Sequence, residues 1–215
     1  MNVKPVPTLD DEVNEIRLAT AEIVNQDIVP NEGRLWGWLS DSANAPNEVI
    51  EEARELRHQV QDKVKKANLW APHLPPEFGG MGLSFMQHAY MNEILSYSPG
   101  AASLFGVVAP NSGNQKILVK YGTPEQHEKW LKPLTEGRMQ SGFSMTEPHN
   151  PGSDPRSLQT KAVLDGDEWV INGHKWFTSN GHAADFYIVM CRTADPDDPG
   201  GSNEKMTQII VPKNT

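Results

Sequence analysis

TKAVLDGDEWVING, residues 160–173, is the stretch that decides how this chain is to be read. Thr160, Ala162 and Leu164 alternate with their neighbours, the period-2 pattern of a strand with one buried face. Asp165-Gly166 supplies a hairpin turn into Glu168-Trp169-Val170-Ile171, and Asn172-Gly173 makes a second turn. Downstream, Phe186 to Arg192 and Met206 to Val211 read as further strands. The polar run ADPDDPGGSNEK, Ala194 to Lys205, reads as a loop between them. The change from period 3.6 to period 2 falls near Gly137, which places a domain boundary near residue 138.

Upstream of that point the pattern is helical. Leu9, Val13, Ile16, Ile23 and Val24 mark one apolar face of a helix expected to end near Pro30. Asn31 to Pro46 is expected to be a loop. Val49, Ala53, Leu56, Val60, Val64 and Ala67 recur at helical spacing and predict a second helix. LPPEFGGMG, Leu74 to Gly82, cannot continue it. Ser84 with Gln87 is a capping box opening a helix through Tyr90, Ile94 and Leu95. Ala101 to Ala109 leads into a helix through Ile117 and Val119 that stops at Gly122. Thr123-Pro124-Glu125-Gln126 then caps a last helix running to about Leu134.

Composition narrows the function classes. The 215 residues carry 19 Lys and Arg against 28 Asp and Glu, a net charge of -9. That balance argues against a nucleic-acid partner and against a polybasic grip on lipid. No apolar run approaches the length of a membrane span, and MNVKPVPTLDDE has neither an apolar core nor an Arg/Ser-rich amphipathic pattern, so a cytoplasmic location is expected. Cys191 is the single cysteine, which excludes an internal disulfide and a cysteine metal cluster. It reads as a buried, inert thiol. The scattered histidines show no metal-ligand spacing, so no metal is expected. Asp10-Asp11, Glu51-Glu52 and Asp197-Asp198 read as solvated carboxylates.

Two segments could carry chemistry. GFSMTEPHNPGSDP, Gly142 to Pro155, runs from a strand edge into a proline-rich loop with Thr146, Ser153 and Asp154. INGHKWFTSNG, Ile171 to Gly181, sets Trp176 beside Phe177 on an expected strand, where they would point to opposite faces. One could then be core while the other offers a flat ring, with hydroxyls following at Thr178 and Ser179. On the residues alone, these segments suit either a site for a planar heteroaromatic ligand or ordinary turn chemistry.

LPPEFGGMG, YGTPEQHEKWL, SMTEPHNPGSD and INGHKWFTSNG, in that order, resemble the acyl-CoA dehydrogenase family over essentially the whole chain. The resemblance implies an α+β architecture: an N-terminal all-α helical domain over 1–138, then the first part of an antiparallel β-barrel domain over 139–215. The family's C-terminal helical domain is not contained in these residues. The implied cofactor is FAD, with Phe143, Met145 and Thr146 along the pyrimidine side of the isoalloxazine. Ser153 would meet an FAD phosphate or the thioester-bearing ligand, although the spacing from TEP to GSD is one residue longer than is commonest. Phe177 stands where the family often has Trp, keeping a ring face but losing the indole N–H. Thr178 follows it, and Ser179 occupies the place of a hydroxyl residue near flavin N5.

The implied reaction is α,β-dehydrogenation of an acyl-CoA thioester with hydride transfer to FAD. Glu147 reads as a structural loop residue, because the family's base comes from the C-terminal domain. No catalytic base is therefore nominated, and the chain alone is expected to have little activity. Implied partners are the acyl-CoA substrate, an electron-transferring flavoprotein or similar acceptor, and either further copies of the chain or a complementing subunit. A non-catalytic FAD- and acyl-CoA-binding subunit of a split flavoenzyme, or a truncated inactive homologue, would show the same motifs. Oxidases and monooxygenases share the fold.

Overall fold

The helical stripe over residues 49–67 becomes the longest helix of the chain. In the computed structural model, which describes residues 1–193 and 205–215, this helix spans Asn47–Lys66. The described chain divides into two compact units, Met1–Val108 and Ala109–Thr215. Among the described residues, no helix is long and apolar enough to cross a membrane. Most of the expected polar loop from Ala194 to Lys205, with Asp197-Asp198, lies outside the described residues.

The first unit contains α1 (Asp11–Ile23), α2 (Glu32–Trp36), α3 (Asn47–Lys66), α4 (Phe85–Leu95) and α5 (Ala101–Leu104). Its core gathers Ile23, Val24, Ile28, Leu35, Val60, Val64, Met91, Leu95, Leu104 and Phe105, drawn from these helices and the turns that follow them. At roughly 2 kcal/mol for each fully buried large apolar side chain, this cluster is what holds short helices in place. The expected capping box at α4 forms in both directions, with Ser84 Oγ accepting from the Gln87 N–H and the Gln87 side chain accepting from the Ser84 N–H.

Pro30 does not end the first helix as expected. A π turn at Val24–Ile28 and a 3-10 turn at Val29–Asn31 carry the chain past it into α2, and a 3-10 turn at Gly37–Asp41 follows. The expected loop over 31–46 is thus largely helical. The wider π turn changes which carbonyls seek donors, so the missing proline N–H costs little there.

The second unit opens with α6 (Asn111–Tyr121), α7 (Pro124–Gln126), a π turn at His127–Leu131, and α8 (Lys132–Thr135). Thr123 and Gln126 form the expected capping box. Gly122 ends α6 in an extended conformation, and a Cβ there would lie 2.5 Å from the Leu118 carbonyl oxygen. Close approach, not left-handed backbone, is what requires glycine.

Among the described residues five strands follow: β1 (Ser141–Ser144), β2 (Lys161–Asp165), β3 (Glu168–Asn172), β4 (Phe186–Thr193) and β5 (Lys205–Pro212). The sheet is mixed, which corrects the expected antiparallel arrangement. β4 is its centre. β5 runs antiparallel along the whole of β4, from Phe186↔Pro212 to Thr193↔Lys205. A strand has two edges, so β1 and β2 share the other, both parallel to β4: β1 against Phe186 to Val189, β2 against Arg192 and Thr193. Burial along β4 accordingly changes phase, from Phe186 and Ile188 to Cys191 and Thr193. Among the described residues the sheet is open.

The β2–β3 hairpin forms with Asp165 opposite Glu168, so its two central residues are Gly166 and Asp167, one position later than expected. Gly166 takes φ 61, which glycine adopts without penalty. The alternation that announced β2 only partly becomes an inward face. Thr160 and Ala162 are buried, but Leu164 is exposed along with Val163, Trp169 and Val170.

Candidate flavin-facing ribbon

β1 is placed by two buried asparagines of α6. Asn111 Oδ1 accepts from the Ser141 N–H and hydroxyl, each at 2.9 Å. Asn114 Nδ2 donates to Ser141 Oγ at 2.8 Å and to the Gly142 carbonyl at 3.1 Å. Buried amides without such partners would be costly, so the pairing fixes where the strand begins.

From the second half of β1 onward the chain forms a narrow antiparallel ribbon with residues 175–180. Phe143 bridges Ser179, Ser144 Oγ lies 3.2 Å from Thr178 Oγ1, and the Trp176 N–H donates to the Thr146 carbonyl at 3.1 Å. Each step along one arm is matched by a step back along the other, so Met145 lies opposite Phe177. Asn180 Nδ2 closes the far end by donating to the Ser141 carbonyl at 3.0 Å.

This ribbon gathers every residue that the sequence nominated for cofactor contact except Ser153. Phe143, Met145 and Thr146 lie on one arm; Phe177, Thr178 and Ser179 lie on the other. Ser153 is exposed in the proline-rich loop outside the ribbon. Beside it, Asp154 accepts from the Arg156 side chain at 3.0 Å and from its N–H at 3.1 Å, and these bonds lower its pKa.

Trp176 and Phe177 do not take opposite faces of a regular strand. Phe177 has φ 50, and the two ring centroids are 4.7 Å apart at 47°. Neither ring is core: Trp176 is 42% exposed and Phe177 80%. Left-handed backbone at a bulky residue costs about 1–3 kcal/mol and persists only where its surroundings enforce it. An aromatic face is thus held out toward solvent at a cost to stability, with the hydroxyls of Thr146 and Ser179 on the same ribbon.

Glu147 explains what anchors the ribbon. It is 5% exposed and the only buried carboxylate among the described residues. Oε1 accepts from Lys175 Nζ at 2.9 Å, from the Thr160 N–H at 2.8 Å and from Thr160 Oγ1 at 2.5 Å; Oε2 accepts from the Gln159 N–H at 2.6 Å and from Asn150 Nδ2. Burial alone would raise its pKa. The bonds from the Thr160 hydroxyl, the Gln159 N–H, the Lys175 ammonium and the Thr160 N–H outweigh it, lowering the pKa to about 2. The carboxylate is ionised at neutral pH but its oxygens are occupied. Lys175 donates as well to the Met145 carbonyl at 2.8 Å.

Sequence reasoning missed Lys175, Asn111, Asn114 and Asn180. Only Asn180 carried a local signal, since Asn tolerates the left-handed backbone (φ 63) found there. Cys191 is buried, and burial pushes its thiol pKa up. A groove of about 740 Å³ between α6–α7 and β4–β5, lined in part by Trp130, Trp169 and Ile209, touches none of the nominated residues.

Comparison with known proteins gives a consistent picture. The family model for the acyl-CoA dehydrogenase N-terminal domain matches residues 10–138, and that for the middle domain matches 142–215. Acyl-CoA dehydrogenase family member 10 of Mus musculus is 32% identical over 96% of the chain, which spans 19% of that protein. FadE2 of Mycobacterium tuberculosis, named a probable acyl-CoA dehydrogenase, is 36% identical over 76% of the chain, which spans 39% of it. The solved structure of a Mycobacterium abscessus protein assigned to the acyl-CoA dehydrogenases superposes with a TM-score of 0.81 at 33% identity, covering 96% of this chain and 51% of that one. The chain therefore spans about half or less of the relatives it matches.

Proposed function

The chain belongs to the acyl-CoA dehydrogenase family, and from that premise we propose that the 143–147/175–180 ribbon is the flavin-facing element of an FAD-dependent acyl-CoA dehydrogenase. The observation that carries this reading is Phe177, an exposed ring held in left-handed backbone on a ribbon whose two arms both carry hydroxyls. A flat ring bordered by hydroxyls and backbone groups suits a planar heteroaromatic with a polar edge, so the residues present fit an isoalloxazine. Phe143, Met145 and Thr146 would hold its pyrimidine side. Phe177 would pack on the ring system, with Thr178 and Ser179 toward its central polar atoms. Ser153, outside the ribbon, would reach a phosphate or the thioester-bearing ligand. When bound, FAD supplies the electron sink for α,β-dehydrogenation of an acyl-CoA.

What the protein adds is orientation and a base. Glu147 does not serve as that base: its oxygens accept from Lys175, Thr160, Gln159 and Asn150, and a pKa of about 2 makes it a poor proton acceptor. Proton abstraction then depends on a carboxylate outside the ribbon. The 215 residues alone should turn over little acyl-CoA with an artificial acceptor. A second reading, an FAD- and acyl-CoA-binding subunit completed by another chain, draws on the same occupied carboxylate. Electron-transferring flavoprotein would be the natural acceptor in either case.

Titration of the purified chain with FAD, followed by flavin fluorescence and by the visible flavin band, tests the proposal. Saturable binding with a perturbed band is expected. Free-flavin behaviour at excess protein would sink it.

A further inference from the structure

We propose that the buried Glu147–Lys175 pair is a positioning element that sets the register of the ribbon, and through it the placement of Phe177 and Thr178. The placement toward flavin rests on the function proposed above; the register does not. One carboxylate meets three chain segments: its own loop through Asn150, the start of β2 through Gln159 and Thr160, and the second arm through Lys175. It thereby closes the base of the excursion over residues 148–158, which carries Pro148, Pro151 and Pro155. Lys175 spends a second proton on the Met145 carbonyl of the first arm, so a single cation ties both the carboxylate and the facing backbone.

Phe177 sits between two anchors of its arm, Lys175 on one side and Asn180 on the other. A slip of one residue would turn Phe177 to the opposite face of the ribbon. An independent feature points the same way. A Cβ on Gly173 would lie 2.2 Å from Thr160 Oγ1, so the backbone before Lys175 is pared to the minimum where the Thr160 hydroxyl reaches Glu147. The pair is nearly dry, its side chains 11% and 4% exposed for Lys175 and Glu147. Removing either partner leaves the other buried and uncompensated, so one substitution disturbs both arms.

Hydrogen exchange resolved by residue, with FAD titration alongside, tests this in the 215-residue chain. Glu147→Gln and Lys175→Met should each speed exchange of the Trp176 to Asn180 amides by tenfold or more beyond any change in β4 and β5. The double variant should be no worse than the worse single, and Lys175→Arg should recover most of the protection. FAD affinity should fall tenfold or more in the two single variants and return with Lys175→Arg. Thr160→Val, which removes only one donor to Glu147, should give the same selective opening at smaller size and serves if the others do not fold. Exchange rising uniformly across the sheet, or not at all, would overturn the positioning role. Selective opening with unchanged FAD affinity would overturn the link to placement. If the unsubstituted chain binds no FAD, the flavin reading fails while the exchange data still decide the register.

Discussion

The apolar cluster of the first unit and the ribbon of the second stay in place by opposite means. Around Phe105, Leu104, Leu95 and Val64, side chains drawn from neighbouring helices exclude water, and the helices follow from that burial. Along the ribbon the large side chains face outward, and the backbone is held by an ion pair, two buried asparagines and a strained turn. The first arrangement tolerates changes in any one hydrogen bond but not in volume. The second tolerates loss of its exposed ring but not loss of its buried charges. A region whose apolar groups point away from its own anchors is built to be covered by something else, and that is the strongest physical reason to look for a ligand there.

That contrast can be broken most forcefully in the helical cluster. Phe105 is fully buried, and Phe105→Ala should cost about 3–5 kcal/mol in denaturant unfolding. A cost below about 1 kcal/mol would mean that the cluster is not what holds this unit together.

The next largest effect belongs to Glu147 and depends on pH. Its folded pKa, near 2, lies below the ordinary value of 4.5. The ionised carboxylate therefore contributes stability that is fully present above about pH 4.5 and is lost as pH falls toward 2. A shift of this size corresponds to at most about 3 kcal/mol. The stability difference between the unsubstituted chain and Glu147→Gln should be largest near neutrality and should shrink as pH falls from 5 to 2, where a protonated Glu resembles Gln. A difference independent of pH over that range would show that the ion pair is not the source.

What the sequence disclosed follows from how local each determinant is. The capping boxes at Ser84 and Thr123, the stripe of α3 and the β2–β3 hairpin each depend on residues a few positions apart, and each formed. Pro30 misled because its usual effect assumes regular α-helical bonding, and a π turn removes that assumption. The parallel placement of β1 and β2 on one edge of β4 has no local signature, since it arises from which edges remain free once β5 has taken the other. At the site, the motif residues were legible as a list. That Phe143 faces Ser179, and that Lys175 reaches Glu147 across 28 positions, was not. A lysine between His174 and Trp176 reads as solvated until the fold buries it.

The smallest expected change in stability is the one that separates the two regions most cleanly. Phe177→Gly removes a ring that is 80% exposed, so little burial is lost, and it relieves the left-handed strain at φ 50. Against this stands the greater freedom that glycine gives the unfolded chain. These terms oppose each other, and unfolding should move by no more than about 0.5 kcal/mol. Flavin affinity should behave differently. If Phe177 stacks on the isoalloxazine, its loss removes about 1 kcal/mol of ring contact, a severalfold weakening. Phe177→Trp should retain or improve binding, because it restores a larger ring and an N–H donor. A glycine variant that keeps full affinity for FAD would show that the exposed ring is not covered by flavin. A glycine variant that loses several kcal/mol of stability would show that the ring is part of its own unit's packing, and the contrast between the two regions would fall with it.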